Sequence, residues 1–376
     1  MKYNYMNTNK PVTERNLNFE LLRIIAMFMV VMLHVNWFGS LLNGYTPDLY
    51  PFPFLISNFF QFLCIIAVNL YVLISGYFLS GKSSPFKLEK VLKLIVITVF
   101  WSWIIGILSC LFLDANVNDF LFNGIFPIMS RRYWFVTDYI ILYMLSPFYN
   151  IVLQSLSKVQ HLWLLSILLF FFSIVQFLWE PVELSKGYSL YWFSYLYVQA
   201  SFIRKYNVKF SFKILLLVWG GILLFQLAGT YFTKLYEFDY INSRVFNFKY
   251  NSLFILVSST CCFLLFKSLA IKKGKRIICL LSSLTFGVYL IHMNPAIISW
   301  LFKELLPIKS FAGTQTFNVL MALLLFTIII FSVSCIFEYI RIQLFNLFKI
   351  DSKVENLSSF IEKKIIHFCK TTINQH

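Results

Sequence analysis

The chain has 376 residues, of which 59% are hydrophobic and 13% charged, with 44 Phe and a formal net charge of +16. A mean hydropathy of +0.74 and a charged fraction about half the ~25% of soluble domains exclude an ordinary water-soluble globule. They describe a polytopic membrane protein, in which basic loops beside anionic lipid account for the positive charge without nucleic-acid binding.

Apolar runs of about 20 residues, the length that crosses ~30 Å of hydrocarbon, predict ten transmembrane helices. In chain order they lie near residues 19–39, 54–79, 91–113, 133–152, 161–178, 189–203, 213–232, 250–270, 279–301 and 316–346. The run at 189–203 is short and aromatic, and the orientation of everything after it depends on its crossing. The first run is too long for the ~7–15-residue apolar core of a secretory signal and no cleavage site follows, so it reads as a retained helix.

With the amino terminus cytoplasmic, most of the 32 basic residues fall inside, among them Lys82, Arg204, Lys205 and Lys272 to Arg276. The positive-inside rule therefore predicts both termini in the cytoplasm. The expected fold is all-α, a bundle of about ten transmembrane helices. Beyond it Val354, Leu357, Phe360, Ile361, Ile365 and Phe368 recur at helical spacing between charges, the pattern of an amphipathic tail on the cytoplasmic leaflet. The chain thus divides into a membrane body, 1–346, and a tail, 347–376. Outer loops near 114–130 and 233–249 are too short to be domains, so chemistry belongs to the membrane body or its surfaces.

Seven cysteines, Cys64, Cys110, Cys261, Cys262, Cys279, Cys335 and Cys369, form no CxxC or Cys/His cluster with zinc spacing. Neither a disulfide framework nor a metal site is expected. His161, His367 and His376 read as bystanders.

The first span carries the sharpest local signal, Arg23 and His34 inside one hydrophobic run. Ionisable residues in a bilayer are costly and mark functional sites by default. At ~100° per residue their spacing ends roughly 20° past three full turns, so both face one direction about 16 Å apart along the axis. Glu20, three residues before Arg23, is placed to pair with it.

Arg23 and His34 resemble the Arg/Lys-x10-His signature of the membrane acyltransferase 3 family, whose members O-acylate bacterial surface glycans. Asn69 to Tyr77 is similar to the family's apolar run ending in Ser-Gly-aromatic, here Ser75-Gly76-Tyr77. Tyr133-Trp134-Phe135 with Tyr143 and Pro147 resembles its Trp-aromatic segment, and Phe286 to His292 its late Phe-Gly-aliphatic-Tyr-Leu-x-His helix. The four segments occur in the family's order across nearly the whole chain.

The resemblance implies an O-acyltransferase, O-acetyl in the first instance, that moves an acyl group from cytoplasmic acyl-CoA to a hydroxyl of a cell-surface or lipid-linked saccharide. No permanently bound cofactor is implied; acetyl-CoA or another acyl-CoA is the donor substrate. Such transfer needs a base near neutral pH, and imidazole, with an unperturbed pKa of ~6.5, makes His34 the candidate. His292 lies at a similar depth in its helix and is a candidate for positioning or a second proton transfer. Arg23 would receive a phosphate or the thioester end of the donor.

Where the family often has Arg-x-x-Arg, this chain has Lys90 and Lys93 with Lys87 one turn earlier, the expected donor dock. On the outer side Arg131, Arg132, Trp134 and Asp138 are candidates to hold the acceptor, with a local Arg–Asp pair as the alternative reading. The best-known branch of the family has a Ser-x-Glu element after its Trp; Asp138 is not in the matching position and does not inherit that glutamate's role. Expected partners are the bilayer of the cell membrane, a glycan acceptor and other polysaccharide-biosynthesis proteins. A transporter or flippase for a lipid-linked saccharide is the competing class, because intramembrane Arg and His also line substrate pathways.

Overall fold

The computed structural model describes residues 15–82, 86–177 and 185–373. Its first helix, α1 (Leu17–Phe38), starts where the Asn16 side chain accepts the Asn18 backbone N–H, satisfying one of the donors a helix start leaves open. From there the chain is all-helical, with no strand among the described residues.

The next two helices, α2 (Pro51–Cys64) and α3 (Ala67–Leu79), form one continuous 29-residue apolar span with a turn at Ile65 and Ile66. The helices that follow are α4 (Leu88–Phe112), α5 (Trp134–Ser155), α6 (Lys158–Leu169), α7 (Leu190–Lys205) and α8 (Phe212–Leu235). Four further long helices are α9 (Leu253–Ser268), α10 (Lys275–His292), α11 (Thr316–Leu347) and α12 (Ile350–Ile373).

Among the described residues seven helices are long and apolar enough to cross a bilayer: α1, α2 with α3, α4, α5, α8, α10 and α11. Helices also stand at the other three expected positions. Of these α7 and α9 have 16 residues each, about 24 Å at ~1.5 Å per residue, short of a full hydrocarbon crossing. One boundary differs clearly from the sequence reading. The run expected to continue to residue 301 ends at His292, because Pro295 follows within three residues and Asn294 caps the break by accepting the Ala296 N–H.

The core is built around α1, which packs against α10, α11, α3 and α2. Leu22, Ala26, Val31 and Val35 of α1 are fully shielded. At its carboxyl-terminal end Asn36 is tied to α2, donating to the Ser57 carbonyl and Gln61 Oε1 and accepting from Ser57 Oγ. In a low-dielectric interior a network satisfied on every side fixes one helix against its neighbour.

A second polar tie crosses the bundle at Glu338 and Arg341 of α11, an ion pair at 2.5 Å. Trp101 of α4 donates its indole N–H to Glu338 Oε2 at 2.7 Å. Gly287 of α10 makes room for the pair, since a Cβ there would collide with the Glu338 carboxylate. By contrast α8 presents Leu216, Leu217, Leu224 and Phe225 outward, as a lipid-facing helix does.

The tail is helical as α12 and rests on α4 and α11. Val354 is buried there, while Leu357, Phe360 and Ile365 are at least half exposed on one side, an apolar face open to a membrane surface. The side chains of His367, Phe368 and Cys369, and residue His376, lie outside the described residues.

Candidate active site

Two helices that run side by side in the same direction create the site. Near their starts Ser282 of α10 donates to Glu20 of α1, and near their ends His292 meets His34. Between these points a cavity of ≈ 1190 Å³ follows α1 from Arg15 past Arg23 and His34 to Trp37. Its wall is completed by Tyr71, Trp134, Tyr139 and Tyr289. Mixed aromatic and polar walls of this kind suit a ligand that is partly apolar.

At one end Arg23 and Glu20 form an ion pair at 2.6 Å, and both line the cavity. Tyr71 donates its hydroxyl to the Arg23 carbonyl at 2.7 Å, fixing the backbone at that turn. Ser282, Ser283 and Thr285 bring hydroxyls to the same region. The arginine therefore presents a positive charge inside the membrane body with its carboxylate partner already in place, a setting suited to a phosphate or other polar group.

About 16 Å further along α1, at ~1.5 Å per residue, His34 Nδ1 lies 3.0 Å from His292 Nε2. The protonation pattern follows from the third group in the line. His292 Nδ1 is 2.5 Å from the Val288 carbonyl oxygen, which can only accept, so this nitrogen carries the proton in the neutral ring. His292 Nε2 then holds a lone pair and accepts from His34 Nδ1–H. The network assigns His34 the tautomer whose basic nitrogen is Nε2. His292 is fully buried, whereas His34 lines the cavity. One histidine faces the chamber and the other orients it from behind, the arrangement by which a second group sets a general base.

The expected acceptor-side residues separate. Trp134 lines the cavity, with ring centroids 4.5 Å from Tyr188 and 6.1 Å from Tyr250. Arg131 instead pairs with the buried Asp138 at 2.9 Å, and Arg132 with Asp119 at 2.8 Å. None of Arg131, Arg132 and Asp138 lines the chamber. Arg132 also reaches Asn294 at 3.4 Å, linking its loop to the end of α10 beside His292.

The expected donor dock is likewise outside the chamber. Lys93 bridges Glu89 at 2.8 Å and Glu355 of α12 at 3.1 Å, while Lys87 uses its backbone N–H on the Tyr143 hydroxyl. Neither these two nor Lys90 lines the cavity; Leu94 is the α4 residue that does. Sequence reasoning missed the hydroxyl row Ser282, Ser283 and Thr285, and the basic residues Lys186, Arg244 and Lys249 that line the far end. The row had a readable signal in the Ser-Ser-x-Thr segment of an otherwise apolar helix.

An all-helical body with, among the described residues, seven bilayer-length apolar helices around an internal chamber is the architecture of a multi-pass membrane protein. The chain belongs to the acyltransferase 3 family: the family's acyltransferase domain matches residues 16–339, nearly its whole length. It is a membrane acyltransferase. No curated protein and no solved structure matches it.

Proposed function

We propose that the protein transfers an acyl group, acetyl in the first instance, from cytoplasmic acyl-CoA to a hydroxyl of a cell-envelope saccharide. The observation that carries this reading is the His34–His292–Val288 line, which leaves His34 Nε2 as the base on the wall of a chamber that also holds Arg23. In this reading the acceptor hydroxyl gives its proton to His34 Nε2 as its oxygen attacks the thioester carbonyl. The carbon–sulfur bond breaks, and the coenzyme thiolate leaves and takes up the proton, so the products are an ester and free thiol. General-base assistance of this kind is worth ~10²–10⁴ in rate.

Arg23 receives a polar part of the donor at the α1 start, and the elongated chamber lets the reactive end extend toward His34. His292 is a positioning residue: its lone pair holds the His34 proton on Nδ1. The plasma membrane is the proposed location, with ten crossings, both termini cytoplasmic and the α12 tail on the inner leaflet. The loss of basic charge on the opposite side supports that orientation. Lys87, Lys90 and Lys93 then border the donor entrance, where they attract the coenzyme's phosphates without forming the chamber wall.

The test is transfer from radiolabelled acetyl-CoA into envelope glycan by membranes carrying the wild type or Arg23→Ala at matched expression. The expected result is label in glycan that saturates with donor and a raised donor KM in the variant. Absence of donor-dependent label in wild-type membranes overturns the reading.

A further inference from the structure

This inference rests on the transferase reading and adds a residue to its machinery. When the acceptor oxygen attacks the thioester carbonyl carbon, the carbonyl π pair moves onto its oxygen, and that charge calls for a hydrogen-bond donor set in place beforehand. Arg23 stands about 16 Å along α1 from His34, at ~1.5 Å per residue, too far to supply it. The Tyr71 hydroxyl is given to the Arg23 carbonyl. A closer group comes from α2. Asn36, two residues and about 3 Å of rise beyond His34, bonds the side chain of Gln61, which brings Gln61 to the level of His34. Gln61 lines the chamber there, with Ile65 and Val68 as its apolar neighbours on the same wall.

The network fixes which way the Gln61 amide faces. The Ser57 carbonyl can only accept, so Asn36 turns Nδ2 toward it at 2.9 Å, and Asn36 Oδ1 accepts from Ser57 Oγ at 2.9 Å. Asn36 Nδ2 also donates to Gln61 Oε1 at 3.0 Å. The Gln61 oxygen is therefore the atom held against α1, and the amide nitrogen is the polar atom left to face the chamber. Among the described residues Gln61 Nε2 bonds to no protein group, although Gln61 is only 4% exposed. An N–H held among apolar walls is a stronger donor than one in water. The neighbouring indole of Trp37 also lines the chamber, but Trp37 is 50% exposed.

We propose that Gln61 Nε2 donates to the thioester carbonyl oxygen and stabilises the oxyanion that forms as the acceptor attacks. His34 Nε2 takes the acceptor's hydroxyl proton as the new carbon–oxygen bond forms. The oxyanion pair then restores the carbonyl and expels the coenzyme thiolate, which receives that proton. Asn36 is a positioning residue, because its N–H keeps the Gln61 oxygen out of the chamber. A glutamine serving only to tie two helices would spend both ends of its amide on protein groups, as Asn36 does.

The experiment uses the full-length protein in lipid nanodiscs with acetyl-CoA carrying carbon-13 at the carbonyl. The infrared stretch of the bound carbonyl is recorded without acceptor for the wild type, Gln61→Met, Gln61→Glu and Trp37→Phe, and steady-state transfer to envelope glycan is measured alongside. Gln61→Met removes the whole amide, whereas Gln61→Glu keeps an oxygen for Asn36 and removes the donor alone. The expected result is a carbonyl stretch at lower wavenumber in the wild type and Trp37→Phe than in either Gln61 variant. In both Gln61 variants kcat is expected to fall ~10²–10³-fold, the loss that follows removal of one oxyanion donor, with the donor KM of Gln61→Met little changed. A stretch that is the same in all four proteins, a loss carried by KM alone, or a loss reproduced by Trp37→Phe overturns the inference. Wild-type kcat and stretch in Gln61→Glu would also overturn it, since the side chain would then act only through Asn36. No bound carbonyl signal and no transfer in the wild type would overturn the transferase reading and this inference with it; a bound carbonyl that ignores Gln61, with transfer intact, overturns this inference alone.

Discussion

The molecule contains the same Glu-x-x-Arg pairing twice within apolar helices, and the two copies have different surroundings. Glu20 and Arg23 sit 2.6 Å apart with the arginine side chain 30% exposed on the chamber wall. Glu338 and Arg341 sit 2.5 Å apart with side chains 1% and 7% exposed, sealed by Trp101 and packed against Gly287. Spacing alone cannot tell a ligand-facing cation from a structural tie. What separates them is whether the arginine has room beside it for another group. The first pair faces a cavity; the second has all its partners inside the protein.

The largest expected difference is in stability. Glu338→Ala strands Arg341 in the interior, and breaking a buried pair by removing one partner costs about 3–5 kcal/mol. Glu20→Ala, the matching removal of the carboxylate, leaves Arg23 bordering the open chamber, so its cost is smaller, closer to the ~0–1 kcal/mol of exposed pairs. Thermal melts of the two variants in the same detergent check this, and equal losses would erase the distinction.

Next in size is the effect behind His34. His292→Leu removes the acceptor that holds the His34 proton on Nδ1, and a loss approaching the ~10² lower bound of general-base catalysis is expected in kcat. His292→Gln puts a carbonyl oxygen where Nε2 stands and restores a substantial part of it. Steady-state kinetics on both variants measures the split; equal activity in the two would show that His292 is packing alone.

Smaller again is the donor-side effect. Arg23→Ala is expected to raise the donor KM about 10-fold, the size of one charge-assisted hydrogen bond, with kcat less affected and Arg23→Lys intermediate. A titration of acyl-CoA at saturating acceptor reads it.

The smallest effect sharpens the comparison with a third pair, outside the spans. Arg132 donates to Asp119 and, with Asn123, holds its carboxyl below the ordinary value. A depressed carboxyl stabilises the fold fully above its unfolded pKa of ~3.9, and that contribution is lost as pH falls through the lowered value. Asp119→Asn should therefore lower the melting temperature slightly at neutral pH, with the gap to the wild type closing as the pH falls and the acid limb correspondingly flatter.

Much of the fold and half of the site could be read from the chain because they depend on local periodicity. Arg23 and His34 share a face through helical spacing, and Glu20 pairs with Arg23 across one turn. His34 and His292 fell at one depth because their helices start on the same side. The rest depends on contacts between distant segments. Lys93 turns to Glu355 of the tail, and the Lys186 carbonyl meets the Tyr250 N–H some sixty residues later. The end of α10 was misplaced because the apolar pattern continues beyond Pro295. The Glu338–Arg341 pair did have a local signal, two opposite charges three residues apart near the end of the last apolar run.

The central claim is that His34 is the base on the chamber wall, and acyl transfer by a His34 variant tests it most directly. Radiolabelled acetyl-CoA is supplied to membranes carrying the wild type or His34→Ala at matched expression and melting temperature, and label in glycan is counted. The account predicts label from the wild type and a loss of ~10² or more in the variant. Wild-type label retained in His34→Ala would contradict it.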